Sequence, residues 1–196
     1  KAKQMLGAVP AEHEAETDKI LKDCADYMGR GSSYKKVDVG VYFGKPGETT
    51  EDPFFKGKGP ARSGCTLCGG CMVGCRYNAK NTLDKNYLYL AEKLGTQIIP
   101  EMDVYDIIPG EDGYVVKAKK STGLLHPRTV FRCKKVIVSG GVMGSVKLLM
   151  ECKRKGSLEN LSDELGNFVR SNSEAILGVK MPKADSEMTN GVAISA

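Results

Sequence analysis

Lys135-Val136-Ile137-Val138-Ser139-Gly140-Gly141-Val142-Met143-Gly144-Ser145-Val146-Lys147-Leu148-Leu149 is the stretch that decides the fold class. Its opening is a continuous apolar run without polar alternation, the pattern of a strand buried on both faces. Two adjacent glycines then allow a tight turn, and residues 145–153 read as a helix. Strand, glycine turn and helix in that order form the local layout of a nucleotide-binding α/β sheet. Glycine at a strand's carboxyl end lets backbone approach a ligand, and the free N–H groups of a helix start favour a phosphate or ribose. The spacing Gly140-Gly141-x-x-Gly144 is shorter than the six-residue dinucleotide fingerprint, so a purely structural turn is the competing reading.

Three strands are expected upstream of this segment. The first runs from Thr96 through Val104-Tyr105-Asp106-Ile107-Ile108, the second over residues 114–118 and the third over residues 129–133. The turns Gly110-Glu111-Asp112-Gly113 and residues 121–127 between them are short, which favours an antiparallel meander. Before the meander, Leu83, Tyr87, Leu90, Ala91 and Leu94 mark a helix that stops at Gly95. Nearer the start of the chain, Ile20, Leu21, Cys24, Ala25 and Met28 share one face of an amphipathic helix over residues 12–28. Val37, Val39, Val41 and Phe43 alternate as a half-buried strand does. Residues 44–64, punctuated by Pro46, Pro53 and Pro60, predict a long ordered loop.

A second constellation follows that loop, Cys65-x-x-Cys68-x-x-Cys71-x-x-x-Cys75, interleaved with Gly64, Gly69, Gly70 and Gly74. This is the ligand spacing of a bacterial ferredoxin run, because short gaps relaxed by glycine let several thiolates converge. A 4Fe-4S cluster is therefore one reading. The next residue is Arg76 where the ferredoxin run has proline. Zinc is a second reading, although structural zinc sites more often use two separated cysteine pairs. Bare reduced thiols in a tight loop are the third. The polar run from Arg76 to Leu88 enters a helix; capping by Asn78, Asn81 or Thr82 is sufficient to explain much of it, and functional residues beside a ligand are the alternative that spacing leaves open.

Composition narrows the function classes. The net charge of +5 comes from lysines spread along the chain, so it reads as solvated surface and no nucleic-acid partner is expected. No run reaches the roughly eighteen apolar residues of a membrane span, and the first residues lack the apolar stretch of a signal peptide. Seven cysteines, an odd number with four of them crowded into residues 65–75, are unlike a secreted disulfide framework and favour a cytoplasmic setting. His13 lies in a polar helix and His126 in a turn beside Pro127, so neither is placed as a catalytic base. Both ends of the chain read as cut, which predicts an internal piece of a longer protein.

The order of several blocks carries a resemblance. Asn81-Thr82-Leu83-Asp84-Lys85-Asn86-Tyr87-Leu88, then the meander, then residues 136–149, then Gly156-Ser157-Leu158-Glu159-Asn160-Leu161-Ser162 with Leu165-Gly166 and Asn172, resembles the middle of the glucose–methanol–choline (GMC) flavin oxidoreductases, in their cholesterol-oxidase branch. The similarity spans about residues 78–180 and, more loosely, residues 52–60. It implies an α/β fold: part of an FAD-binding, Rossmann-like domain with an inserted antiparallel meander, a Cys/Gly-rich loop and the start of a substrate domain. The implied division is residues 1–64 as a helix, strand and long loop bordering both domains, 65–80 as the cysteine loop, 81–170 as FAD-binding segment and 171–196 as substrate domain.

The resemblance also implies roles. Val104 offers backbone to the adenine of FAD; Ser139, Gly140 and Gly141 lie against the adenosine part, with Gly144 opening the helix behind them. Asn172 falls where relatives carry a polar turn near the flavin. The implied reaction is oxidation of a sterol-like or other bulky alcohol by hydride transfer to flavin, with an electron acceptor that the sequence does not name. The family's pyrophosphate-binding Gly-x-Gly-x-x-Gly turn and its histidine-containing segment are not found in this sequence. No catalytic residue is therefore assigned here, and residues 1–196 are expected not to turn over alone. A segment that transfers electrons through an iron–sulfur cluster and an inactive truncated protein are the alternatives.

Overall fold

The computed structural model describes residues 1–179 and 188–195. The chain packs as two compact units, one formed by Lys1–Gln97 with the described residues from 179 onward, the other by Ile98–Gly178.

In the first unit the elements are short. They are α1 (Ala2–Met5), β1 (Val9–Pro10), α2 (Glu16–Tyr27), β2 (Asp38–Val39), β3 (Thr49–Thr50), β4 (Arg62–Ser63) and α3 (Tyr87–Lys93). Helix α2 begins four residues later than its apolar periodicity predicts. Its start is set by Asp18, whose buried carboxylate reaches back to accept the Ala15 N–H at 2.8 Å. The alternating stretch 37–43 pairs only over β2, antiparallel to β1, with Val39 opposite Val9 and Asp38 opposite Pro10. Past Pro10 the Ala11 N–H still donates to the Val37 carbonyl at 3.1 Å, and at the other end of the stretch Val41 bridges Lys80, with the Tyr42 N–H donating to the Ala79 carbonyl at 2.9 Å and the Asn81 N–H to the Gly40 carbonyl at 2.7 Å. The proline-rich loop is ordered, as expected, but carries the β3–β4 pair, with Thr49 opposite Ser63. Asp52 folds its middle by accepting the N–H groups of Phe54 and Phe55 at 2.9 Å and of Gly59 at 2.9 Å. Phe54 then packs edge-on against Tyr42, with ring centres 5.9 Å apart.

The second unit holds β5 (Met102–Gly110), β6 (Gly113–Lys120), β7 (Arg128–Cys133) and α4 (Gly141–Arg154). The three strands form an antiparallel sheet in chain order, the meander that turn chemistry predicts. Ile107 faces Val116, which faces Phe131, and a bulge falls between Val104 and Asp106. Gly113 occupies φ +138°, where an added Cβ would sit 2.3 Å from the Cys133 carbonyl, so the β5–β6 turn requires glycine. Helix α4 lies against β5, and Ile107, Ala118 and Cys152 are buried in this unit.

Two expected strands are not formed. Residues 96–100 carry no strand, and β5 starts at Met102. Residues 135–139 are irregular and unpaired, and Ile137 is 89% exposed rather than buried. A two-sided strand needs neighbours to take its N–H and C=O groups, and no strand among the described residues runs beside this one. The mixed helix-and-sheet character holds, whereas a parallel sheet is not formed among the described residues. No described helix is long and apolar enough to cross a membrane.

Candidate functional site

Two places gather the residues that the sequence singled out, one in each unit. In the second unit, α4 against β5 brings Val104 on the strand alongside Ser139, Gly140 and Gly144 around an open cleft of about 440 Å³. Its floor is apolar, built from Ile107, Val116 and Leu148. The helix start is shaped by Ser145, whose hydroxyl oxygen accepts the Gly140 N–H at 2.9 Å. A Cβ on Gly140 would lie 3.4 Å from the Ser145 nitrogen, an ordinary contact, so the space at this turn does not itself demand glycine. At Gly144 an added Cβ would meet nothing within 4 Å, so bare backbone of the first helical turn faces open space. An apolar floor for a flat ring, bare helix-start backbone, Ser139, Ser145 and the Asp103 side chain fit the adenosine part of a dinucleotide such as FAD.

The remaining members of the predicted set are placed differently. Gly141, at φ +68°, is adjacent but does not line the cleft. Asn172 is exposed in irregular chain, its carbonyl accepting the Ser171 hydroxyl at 3.4 Å, and it too lies off the cleft. His126 Nδ1 is 2.8 Å from the Lys120 carbonyl and takes no part in the cleft.

In the first unit, Cys65, Cys68, Cys71 and Cys75 all border one narrow cavity of about 10 Å³ together with Thr66 and Lys80. All four are free thiols. Among the described residues, no three His, Cys, Asp or Glu side chains are arranged to hold a single metal ion. The electrostatics of the thiols diverge. Burial pushes the Cys65 thiol up, against the Leu67 N–H that donates to its sulfur at 3.4 Å, and the three neighbouring thiols add to the rise. Burial raises Cys75 as well, but N–H donation from Lys80, Ala79 and Tyr77 and the charge of Arg62 outweigh it, so its thiol is held below the ordinary value. The Ala79 N–H is 3.3 Å from that sulfur.

Arg62 is the residue that sequence reasoning missed. Only 1% exposed, it donates from Nε to the Asn78 carbonyl at 3.0 Å and from Nη2 to the Lys80 carbonyl at 2.8 Å. Its Nη1 donates to Asn81 Oδ1, and the guanidinium stands 5.8 Å from the Phe54 ring. Asn81 Nδ2 in turn donates to the Gly7 carbonyl at 3.2 Å. The polar run after the cysteines is therefore an anchor for Arg62 and for the N-terminal segment. Capping explains only Asn86, whose Oδ1 accepts the Tyr87 N–H at 2.6 Å. No local signal marks Arg62, because its acceptors lie sixteen to nineteen residues away.

Residues 60–158, which include both places, match the family model described as GMC oxidoreductase. The chain belongs to the GMC oxidoreductase family. Over its full length it is 43% identical to a cholesterol oxidase of Acinetobacter baumannii, across 206 aligned residues that make up 37% of that protein. It is 41% identical to a cholesterol oxidase of Mycobacterium tuberculosis strain H37Rv, across 204 residues and 35% of that protein. This GMC chain is thus cholesterol-oxidase-like and spans little more than a third of the curated relatives' length. No solved structure is significantly similar to it.

Proposed function

We propose that the GMC protein containing these residues is an FAD-dependent oxidoreductase acting on the CH–OH group of a sterol-like or other bulky alcohol. The observation that supports this most directly is the cleft at the start of α4, where Val104, Ser139, Gly140 and Gly144 meet over an apolar floor. These residues bind rather than react. Val104 backbone would take the polar edge of the adenine, Ser139 and Gly140 would lie along the adenosine, and the bare backbone at Gly144 would admit it to van der Waals distance. Gly141 supplies the turn, and Asn172 is proposed to reach the cofactor from the chain that leads into a substrate domain over residues 171–196. FAD, when bound, supplies the acceptor for the hydride that leaves the alcohol carbon. The group that takes the hydroxyl proton is proposed to come from outside residues 1–196.

The substrate class rests on the two relatives, each of which is named a cholesterol oxidase. The test uses the full-length protein. Wild type should purify with a flavin spectrum and reduce an artificial acceptor with a 3-hydroxysterol. Gly144→Leu, whose side chain would enter the cleft, should keep the helix content but lose at least about tenfold in flavin affinity, the scale of roughly 1.4 kcal/mol of lost contact. Undiminished flavin affinity in that variant would remove the cleft from the cofactor site.

A further inference from the structure

The cysteine loop goes unused in that chemistry, and its construction points to a ligand of its own. Leu67, Gly69 and Gly74 adopt φ of 58°, 69° and 102°, and these left-handed residues coil the loop so that all four thiols border one cavity. The loop is also clamped. Gly69 N–H donates to the Gly191 carbonyl at 3.1 Å, and Gly191 N–H donates to the Leu67 carbonyl at 2.8 Å. An added Cβ on Gly69 would sit 2.0 Å from the Thr189 carbonyl, so this close approach requires glycine. Backbone N–H groups point at two of the sulfurs, Leu67 at Cys65 and Ala79 at Cys75, the arrangement that supports charge on a ligating thiolate. The surroundings are cationic, with Arg62 buried against the same loop and Lys80, on the cavity wall, donating to the Cys71 carbonyl at 2.9 Å. The Thr66 hydroxyl, also on that wall, is buried without a hydrogen-bond partner.

We propose that Cys65, Cys68, Cys71 and Cys75 ligate an iron–sulfur cluster. A mononuclear tetrahedral site requires its sulfurs to converge on one point, and no three of them do so. A cluster presents separate iron atoms to separate thiolates, so its ligands need only border a shared space, as these do. The cavity is narrow, and the outer rim is what yields to admit the cluster. Met72 and Val73 of the 70–73 turn are 80% and 87% exposed, so movement of that turn disturbs no core, while residues 67–69 stay held by their contacts with Gly191. The Thr66 hydroxyl gains an acceptor in the cluster sulfide, and Arg62 and Lys80 offset the negative charge of the thiolates.

The inference stands apart from the flavin reading and is tested in the same sample. The full-length protein, purified without oxygen, is assayed for iron, acid-labile sulfide, zinc and flavin. Iron and sulfide in cluster proportion, with visible absorption that bleaches on reduction, are expected. Cys71→Ser and Cys75→Ser should each lower the iron content at least about tenfold with circular dichroism unchanged, while the control Cys24→Ser leaves it intact. If the serine variants misfold, removal of iron from wild type and its reconstitution with ferrous iron and sulfide under reducing conditions decides the matter. Flavin without iron, zinc in place of iron, or iron that persists in both variants overturns the cluster. Iron without flavin leaves the cluster standing and overturns the cofactor reading of the α4 cleft.

Discussion

Replacing Arg62 with methionine should loosen the first unit more than any other single change to a charged residue there. The methionine fills much of the same volume but leaves three acceptors behind it: the carbonyls of Asn78 and Lys80 and the side-chain oxygen of Asn81. A buried acceptor without a donor costs about 1–3 kcal/mol. The Asn78 carbonyl keeps a second donor, the Ser63 N–H at 3.4 Å, which reduces its share. Removing a desolvated cation returns part of the loss. The net expectation is about 2–4 kcal/mol, or a fall in melting temperature of roughly 5–15 °C for a unit of this size. Arg62→Lys keeps the charge but cannot serve three acceptors set around a planar fork, so it should lose most of the same stability. Thermal unfolding of the full-length protein by circular dichroism gives the magnitude, and amide exchange over residues 40–81 locates it. A loss below about 0.5 kcal/mol in Arg62→Met, or wild-type stability in Arg62→Lys, would refute the claim that the guanidinium fork ties this loop together.

Three other outcomes follow from the geometry. Gly113→Ala forces a Cβ to within 2.3 Å of the Cys133 carbonyl at φ +138°, so it should destabilise the meander by about 2 kcal/mol or more in denaturant titration, and a near-neutral effect would count against the tight turn. At Asp52, burial raises the carboxyl but N–H donation from Gly59, Phe54, Phe55 and Gly57 outweighs it, so the folded group titrates below the ordinary value of 3.8. The unfolded chain therefore takes up the proton first, and this stabilisation is present above pH 3.8 and fades as pH falls through the folded value. Asp52→Asn should be less stable than wild type at neutral pH, with the gap closing in acid; a gap independent of pH would show that the carboxylate charge does not matter. Cys24 is exposed and Cys152 fully buried, so a maleimide should label Cys24 in the native protein and reach Cys152 only on unfolding, and equal labelling rates would contradict the packing of α4 on the sheet.

Local signals carried the elements whose stabilising contacts are local. The short turn and the glycine at 113 are sufficient for a hairpin, and β6 extends the strand expected over residues 114–118 to Gly113–Lys120. The helix after Gly140 was equally legible, and so was the ordering of the proline-rich loop, although not its short β3–β4 pair. The spacing of the four cysteines left cluster, zinc and bare thiols open; in the structure all four border one cavity, which short glycine-relaxed gaps between Cys65 and Cys75 allow. What only the tertiary structure decided depends on partners far along the chain. Val104 meets Gly140 and Gly144 because α4 folds back onto β5, a contact that no window of either segment contains. Nothing in its own stretch of sequence sets Arg62 apart from Lys56 and Lys58, and it becomes the centre of the loop only when residues 78–81 return to it. The segment around Ile137 shows the converse, since its apolar run is the pattern of an inner strand, yet a strand exists only where neighbours take its hydrogen bonds. Pattern records what a segment can bury or bond, and closure of the chain determines which partner it finds.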